Sequence, residues 1–121
     1  MRGHKHERIE SRLVKEISYL ILRSIKDPRI QGVHVVSVKL SPDHHLARVY
    51  YSTLNESSDV ADVQRGLDSA KGFMRSEIRK TLPLKVIPEI AFFFDPSIRE
   101  GDRILGILRE LDKEKQKPPQ P

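Results

Sequence analysis

The chain has 121 residues, enough for one domain with a hydrophobic core of its own. Lys and Arg total 22 against 17 Asp and Glu, a formal charge of +5 that suits a polyanionic partner. There is no Cys, which excludes disulfide scaffolds, Cys-ligated zinc, iron–sulfur clusters and thiol catalysis, and no apolar run approaches the ~18 residues of a membrane span.

Residues 1–6, Met1-Arg2-Gly3-His4-Lys5-His6, are polar and lack the apolar core of a signal peptide. They read as a flexible start to a cytoplasmic protein with no membrane contact. Ile9, Leu13, Val14, Ile17, Leu20, Ile21 and Ile25 recur at steps of three and four, which predicts an amphipathic helix over about Glu7–Ile25. Asp27-Pro28 ends it, because Pro disfavours the α conformation in the residue before it.

His34–Leu40 alternates, with Val36, Val38 and Leu40 on the inner face and Ser37 and Lys39 on the other. Ser41-Pro42-Asp43-His44-His45 is a turn, and Leu46–Leu54 returns with Ala47, Val49, Tyr51 and Thr53 inward and Arg48, Tyr50 and Ser52 outward. Ser57, Ser58 or Asp59 can cap the next helix, whose apolar face is Val60, Val63, Leu67, Ala70, Phe73, Met74 and Ile78. Gly72 sits in its middle and predicts a kink there, since an interior Gly costs a helix ~1 kcal/mol. Glu89–Asp95 is a short strand with Ile90, Phe92 and Phe94 on one face. Ser97 and Glu100 form a capping box for a last helix to about Leu111, and residues 113–121 are a charged, Pro-rich tail expected to be disordered. The order α-β-β-α(kinked at Gly72)-β-α over residues 7–112 defines an α+β domain, with helices on one face of a three-stranded sheet.

The positive charge is uneven. Residues 1–30 carry eight basic and four acidic side chains, and residues 61–90 carry six and four. In the first helix Lys5, Arg8, Arg12 and Lys15 fall at steps of three and four, interrupted by Glu7, Glu10 and Glu16, so intrahelical ion pairs compete with a phosphate-binding reading. In the second, Lys71, Arg75 and Arg79 stack at steps of four with Lys80 beside them; this is a phosphate-binding stripe or a solvated face. Arg29, on the stiff Asp27-Pro28-Arg29 loop, could fork onto a phosphate, and Arg48 and Lys39 flank Tyr50 on the outer face of the hairpin.

No catalytic or metal constellation is visible. His4 and His6 alternate and His44 and His45 are adjacent, and neither pair has the spacing of a two-His metal site. There is no G-x-S-x-G elbow and no Gly-rich phosphate loop. No enzyme, metal or cofactor is expected. A general nucleic-acid binder remains one alternative, and an enzyme with a deep pocket of perturbed acids another.

Ile25-Lys26-Asp27-Pro28-Arg29-Ile30, Leu40-Ser41-Pro42-Asp43, Ala70-Lys71-Gly72-Phe73-Met74-Arg75, Val86-Ile87-Pro88-Glu89-Ile90-Ala91-Phe92 and Asp95-Pro96-Ser97-Ile98 occur in that order. In these segments, and over about Arg8–Leu111, the chain resembles the ribosome-binding factor A family. The resemblance implies a KH-like fold of the second topology. Ala70, Lys71 and Gly72 match the family's Ala-x-Gly kink, which stands where ordinary KH domains carry a G-x-x-G loop. It further implies a non-catalytic assembly factor that binds the free small ribosomal subunit and promotes maturation of its ribosomal RNA, including the 5′ end. Its need is greatest in the cold, and a ribosome-associated GTPase assists its release. A monomer is expected. His44-His45 and the Pro-rich tail depart from the family pattern.

Overall fold

The computed structural model describes residues 4–53 and 59–96. The expected last helix and tail, and the capping candidates Ser57 and Ser58, lie outside the described residues. Helix α1 spans His4–Tyr19 and continues into a π-turn at Leu20–Ser24. A 3-10 turn at Pro28–Ile30 leads to strands β1 (Val33–Leu40) and β2 (Leu46–Thr53). Helices α2 (Val60–Ser69) and α3 (Lys71–Thr81) precede β3 (Glu89–Phe94). β2 is the middle strand, antiparallel to β1 and parallel to β3. α1 packs on β1, and α2 and α3 on β3.

The core lies between these layers. Leu13 and Ile17 of α1, Val49 and Tyr51 of β2, Leu67 of α2 and Met74 and Ile78 of α3 have no exposed surface. Gln64 of α2 ties the layers together: it accepts from the buried Tyr51 hydroxyl at 2.6 Å and donates to the Phe92 carbonyl at 3.0 Å. Burial pushes the Tyr51 phenol above its ordinary pKa.

Four expectations are corrected. First, α1 begins at His4 rather than Glu7, because His6 and Glu10 both bind the end of β1. His6 Nε2 donates to the Leu40 carbonyl at 2.8 Å, and Leu40 N–H donates to Glu10 Oε2 at 2.8 Å. Second, β1 carries a bulge. Val35 pairs with Tyr51 and Ser37 with Tyr50, so Val36 is an extra residue, and the expected alternation of β1 shifts. Val35 and Val38 are buried, while Val36 is half-exposed. Third, Ser52 is buried instead of facing solvent, and its hydroxyl has no hydrogen-bond partner among the described residues. Fourth, the helix breaks at Ala70, two residues before Gly72. Ala70 has φ −89° and ψ −5°, and its N–H bonds back to Leu67 at 3.0 Å, which tightens the last turn of α2.

Gly72 lies in the first turn of α3, where an added Cβ would meet nothing within 4 Å. The glycine required by packing is Gly66. A Cβ there would stand 2.7 Å from Ile30 Cγ2 and 3.2 Å from Arg29 Cβ. Gly66→Ala is therefore expected to destabilise the protein by about 2 kcal/mol, and Gly72→Ala to stabilise it by about 0.5 kcal/mol. Paired denaturant melts of the two variants test this contrast.

Candidate nucleic-acid interface

The orientation of α1 decides which of its side chains reach solvent. With His6, Ile9, Glu10, Leu13 and Ile17 buried, the opposite face presents Lys5, Arg8, Arg12 and Lys15, all exposed. Ten residues at 1.5 Å each spread these four cations over about 15 Å of helix. None of them forms an ion pair among the described residues: Glu10 is drawn inward to Leu40, and Glu7, on the same face as Arg8 and Arg12, pairs with none of the four. The competing expectation of intrahelical pairing is thereby removed. The same periodicity continues into Tyr19 and Leu22, which stay exposed.

The cations of α3 are placed differently. Arg75 braces the chain leading into β3: its Nε donates to the Pro88 carbonyl at 3.1 Å, Nη2 to the Ile87 carbonyl at 3.1 Å, and Nη1 lies 3.4 Å from Glu89 Oε1. Lys71 pairs with Asp68 at 3.0 Å and Lys80 with Glu77 at 3.5 Å. Among the described residues Arg79 alone of this group has no acidic partner. Arg29 turns its fork onto Asp27, with contacts of 2.7–3.1 Å, and this holds the Asp27 carboxyl below its ordinary pKa of 3.8. The predicted basic residues thus separate into a free row on α1, a braced set of Arg29, Lys71, Arg75 and Lys80, Arg79 without an acidic partner on α3, and Arg48 on the sheet.

Two side chains escaped the sequence reading: Lys85 is an exposed cation before β3, and Phe93 is exposed on the outer face. Lys39, read on the outer face of the hairpin, lies directly across from Arg48. The signal for Phe93 was present in β3, since Ile90, Phe92 and Phe94 facing inward leave Phe93 outward. A cleft of about 260 Å³ lies between the start of α1, the β1–β2 turn and the α3–β3 connection, lined by Lys5, Ile9, Leu40, His44, Leu84 and Lys85 among others. The His44 ring meets His6 edge-on at 5.0 Å. Among the described residues no group of three His, Cys, Asp or Glu side chains could hold a metal ion, and no helix is long and apolar enough to cross a membrane.

Helices on one face of a mixed three-stranded sheet, joined through a broken helix pair, make this a KH-like α+β domain. The model of one family, ribosome-binding factor A, matches residues 5–108. A ribosome-binding factor A of Latilactobacillus sakei is 40% identical over 112 residues, covering 92% of this chain and 95% of the relative. The chain belongs to that family. The crystal structure of ribosome-binding factor A from Thermus thermophilus superposes with a TM-score of 0.66 at 21% identity, covering 74% of this chain and 93% of the other. A homology model of the Thermus thermophilus factor, fitted into the cryo-electron-microscopy map of its complex with 30S, gives 0.57 at 21% identity, over 78% and 94%. Both share the fold.

Arg75→Ala leaves two carbonyls without their donor and is expected to cost about 1 kcal/mol of stability, whereas Arg12→Ala is expected to leave the melting temperature unchanged. Thermal unfolding of both variants checks the division between braced and free cations. The depressed Asp27 carboxyl contributes stability above its ordinary pKa of 3.8, and that contribution is lost as pH falls through the lower folded value. An Asp27→Asn variant should therefore be less stable than the parent at neutral pH and approach it below that window, as read by melts across pH 2–7.

Proposed function

We propose that this chain is a non-catalytic assembly factor that binds the free small ribosomal subunit through its RNA. The observation that carries the reading is the row Lys5, Arg8, Arg12 and Lys15, four exposed cations with no acidic partner among the described residues. Cations held this way can neutralise phosphates without first giving up a protein partner, and they fix the orientation of the domain on the RNA. Arg79 and Arg48 add to the same field, and the braced cations chiefly hold the fold. Family membership and the 30S complex of the Thermus thermophilus factor support the choice of the small subunit.

The factor promotes maturation of the small-subunit ribosomal RNA, including its 5′ end, by binding one RNA arrangement more tightly than its competitors. A protein shifts such an equilibrium only by its differential affinity for the states. Cold slows exchange between trapped RNA folds, so the need for the factor grows as temperature falls. It acts as a cytoplasmic monomer, and a ribosome-associated GTPase assists its release.

The test is co-sedimentation with separated small subunits, large subunits and joined ribosomes over a salt series. The expected result is selective binding to free small subunits that weakens as salt rises. An Arg8→Glu/Arg12→Glu variant should bind at least about tenfold more weakly, with the log–log salt slope shallower by about 1.5. Equal binding to every RNA-containing fraction, or full binding by the variant, contradicts the proposal.

A further inference from the structure

The side of the sheet away from α1, α2 and α3 carries a second cluster that the α1 face does not use. Lys39 of β1 lies directly opposite Arg48 of β2 in the antiparallel register, and both are exposed. Like charges in that position repel and destabilise a sheet. Neither has an acidic partner among the described residues. Two residues further along β2, Tyr50 pairs in register with Phe93 of β3, their rings 5.7 Å apart and tilted by 30°. Phe93 is 44% exposed, a large aromatic surface left to water on a strand whose neighbours Ile90 and Phe92 are buried. Ala91, level with Arg48, leaves the space between the cations and the rings low.

We infer that this sheet face binds unpaired nucleotides of RNA, a base stacking on Phe93 and Tyr50 while the adjoining phosphate lies between Lys39 and Arg48. The spacing fits, since two residues along a strand separate the cation row from the ring row by about 6.6 Å. An anion between Lys39 and Arg48 removes the repulsion that their register creates, and stacking needs no particular base, because every base offers a π-face. The chemistry favours a single strand over a duplex, whose bases are already stacked on one another. The inference rests on reading the chain as an RNA-binding factor, and it assigns to the sheet a contact distinct from the phosphate-binding row of α1.

The test uses the full chain with two probes, a fluorescent single-stranded oligoadenylate and a short RNA duplex. Phe93→Ala, with Phe93→Leu as a variant that keeps apolar bulk, is expected to weaken single-strand binding by about tenfold and leave duplex binding unchanged. Lys39→Glu creates an opposite-charge pair with Arg48, so it should raise the melting temperature while weakening single-strand binding; a misfolded variant could not do both. The chain has no Trp, so Phe93→Trp introduces a unique reporter. Its fluorescence should be quenched by the single strand and unaffected by the duplex. Unchanged single-strand binding in the Phe93 and Lys39 variants, or no quenching, overturns the inference. These results are separable from failure of the broader reading, which would appear as full small-subunit binding by Arg8→Glu/Arg12→Glu.

Discussion

The end of β1 is where the helical layer is fixed to the sheet. Leu40 is the last residue of an edge strand, and its carbonyl and N–H are both taken by side chains of α1, from His6 and to Glu10, each at 2.8 Å. Two bonds one helical turn apart set both the position of α1 along the strand and its rotation about its own axis. That rotation puts Ile9, Leu13 and Ile17 into the core. It also directs Lys5, Arg8, Arg12 and Lys15 to solvent and withdraws Glu10 from them. The basic face follows from an interaction made on the other side of the helix.

The same separation of roles runs through the remaining cations. Arg75 holds the connection into β3 by two carbonyls, and Arg29 closes the loop after α1 on Asp27. A guanidinium engaged in this way must break bonds within the protein before it can meet a phosphate, so its affinity for RNA is reduced by what it already stabilises. An exposed side chain with no acidic neighbour carries no such cost. Charge alone does not rank these residues; their existing partners do.

Much of the fold was legible in residue spacing. The helical period of α1, the alternation of β2 and the aromatic pattern of β3 each reflect one buried face, and burial of one face is a local signal. The features that were not legible depend on distant partners. The bulge at Val36 is a matter of register between two strands, and nothing within β1 announces it. Gly72 drew attention because a glycine inside a helix is unusual, yet the break falls at Ala70 and the glycine under steric demand is Gly66, where α2 approaches Ile30. In the same way the stripes on α1 and α3 look alike in sequence. Lys71 and Lys80 are paired locally, with Asp68 and Glu77 three residues away, but the bracing of Arg75 by Ile87 and Pro88 and the withdrawal of Glu10 to Leu40 depend on positions in space.

The central claim is that the free cations of α1, and not the braced cations of α3, lead the contact with the RNA of the small subunit. Lysine footprinting tests it directly: the protein is acetylated alone and when bound to purified small subunits, and modification is read at each lysine by mass spectrometry. The account predicts strong protection of Lys5 and Lys15 on binding, with Lys80 reacting as it does in the free protein. Protection of Lys71 and Lys80 with Lys5 and Lys15 still reactive would contradict it.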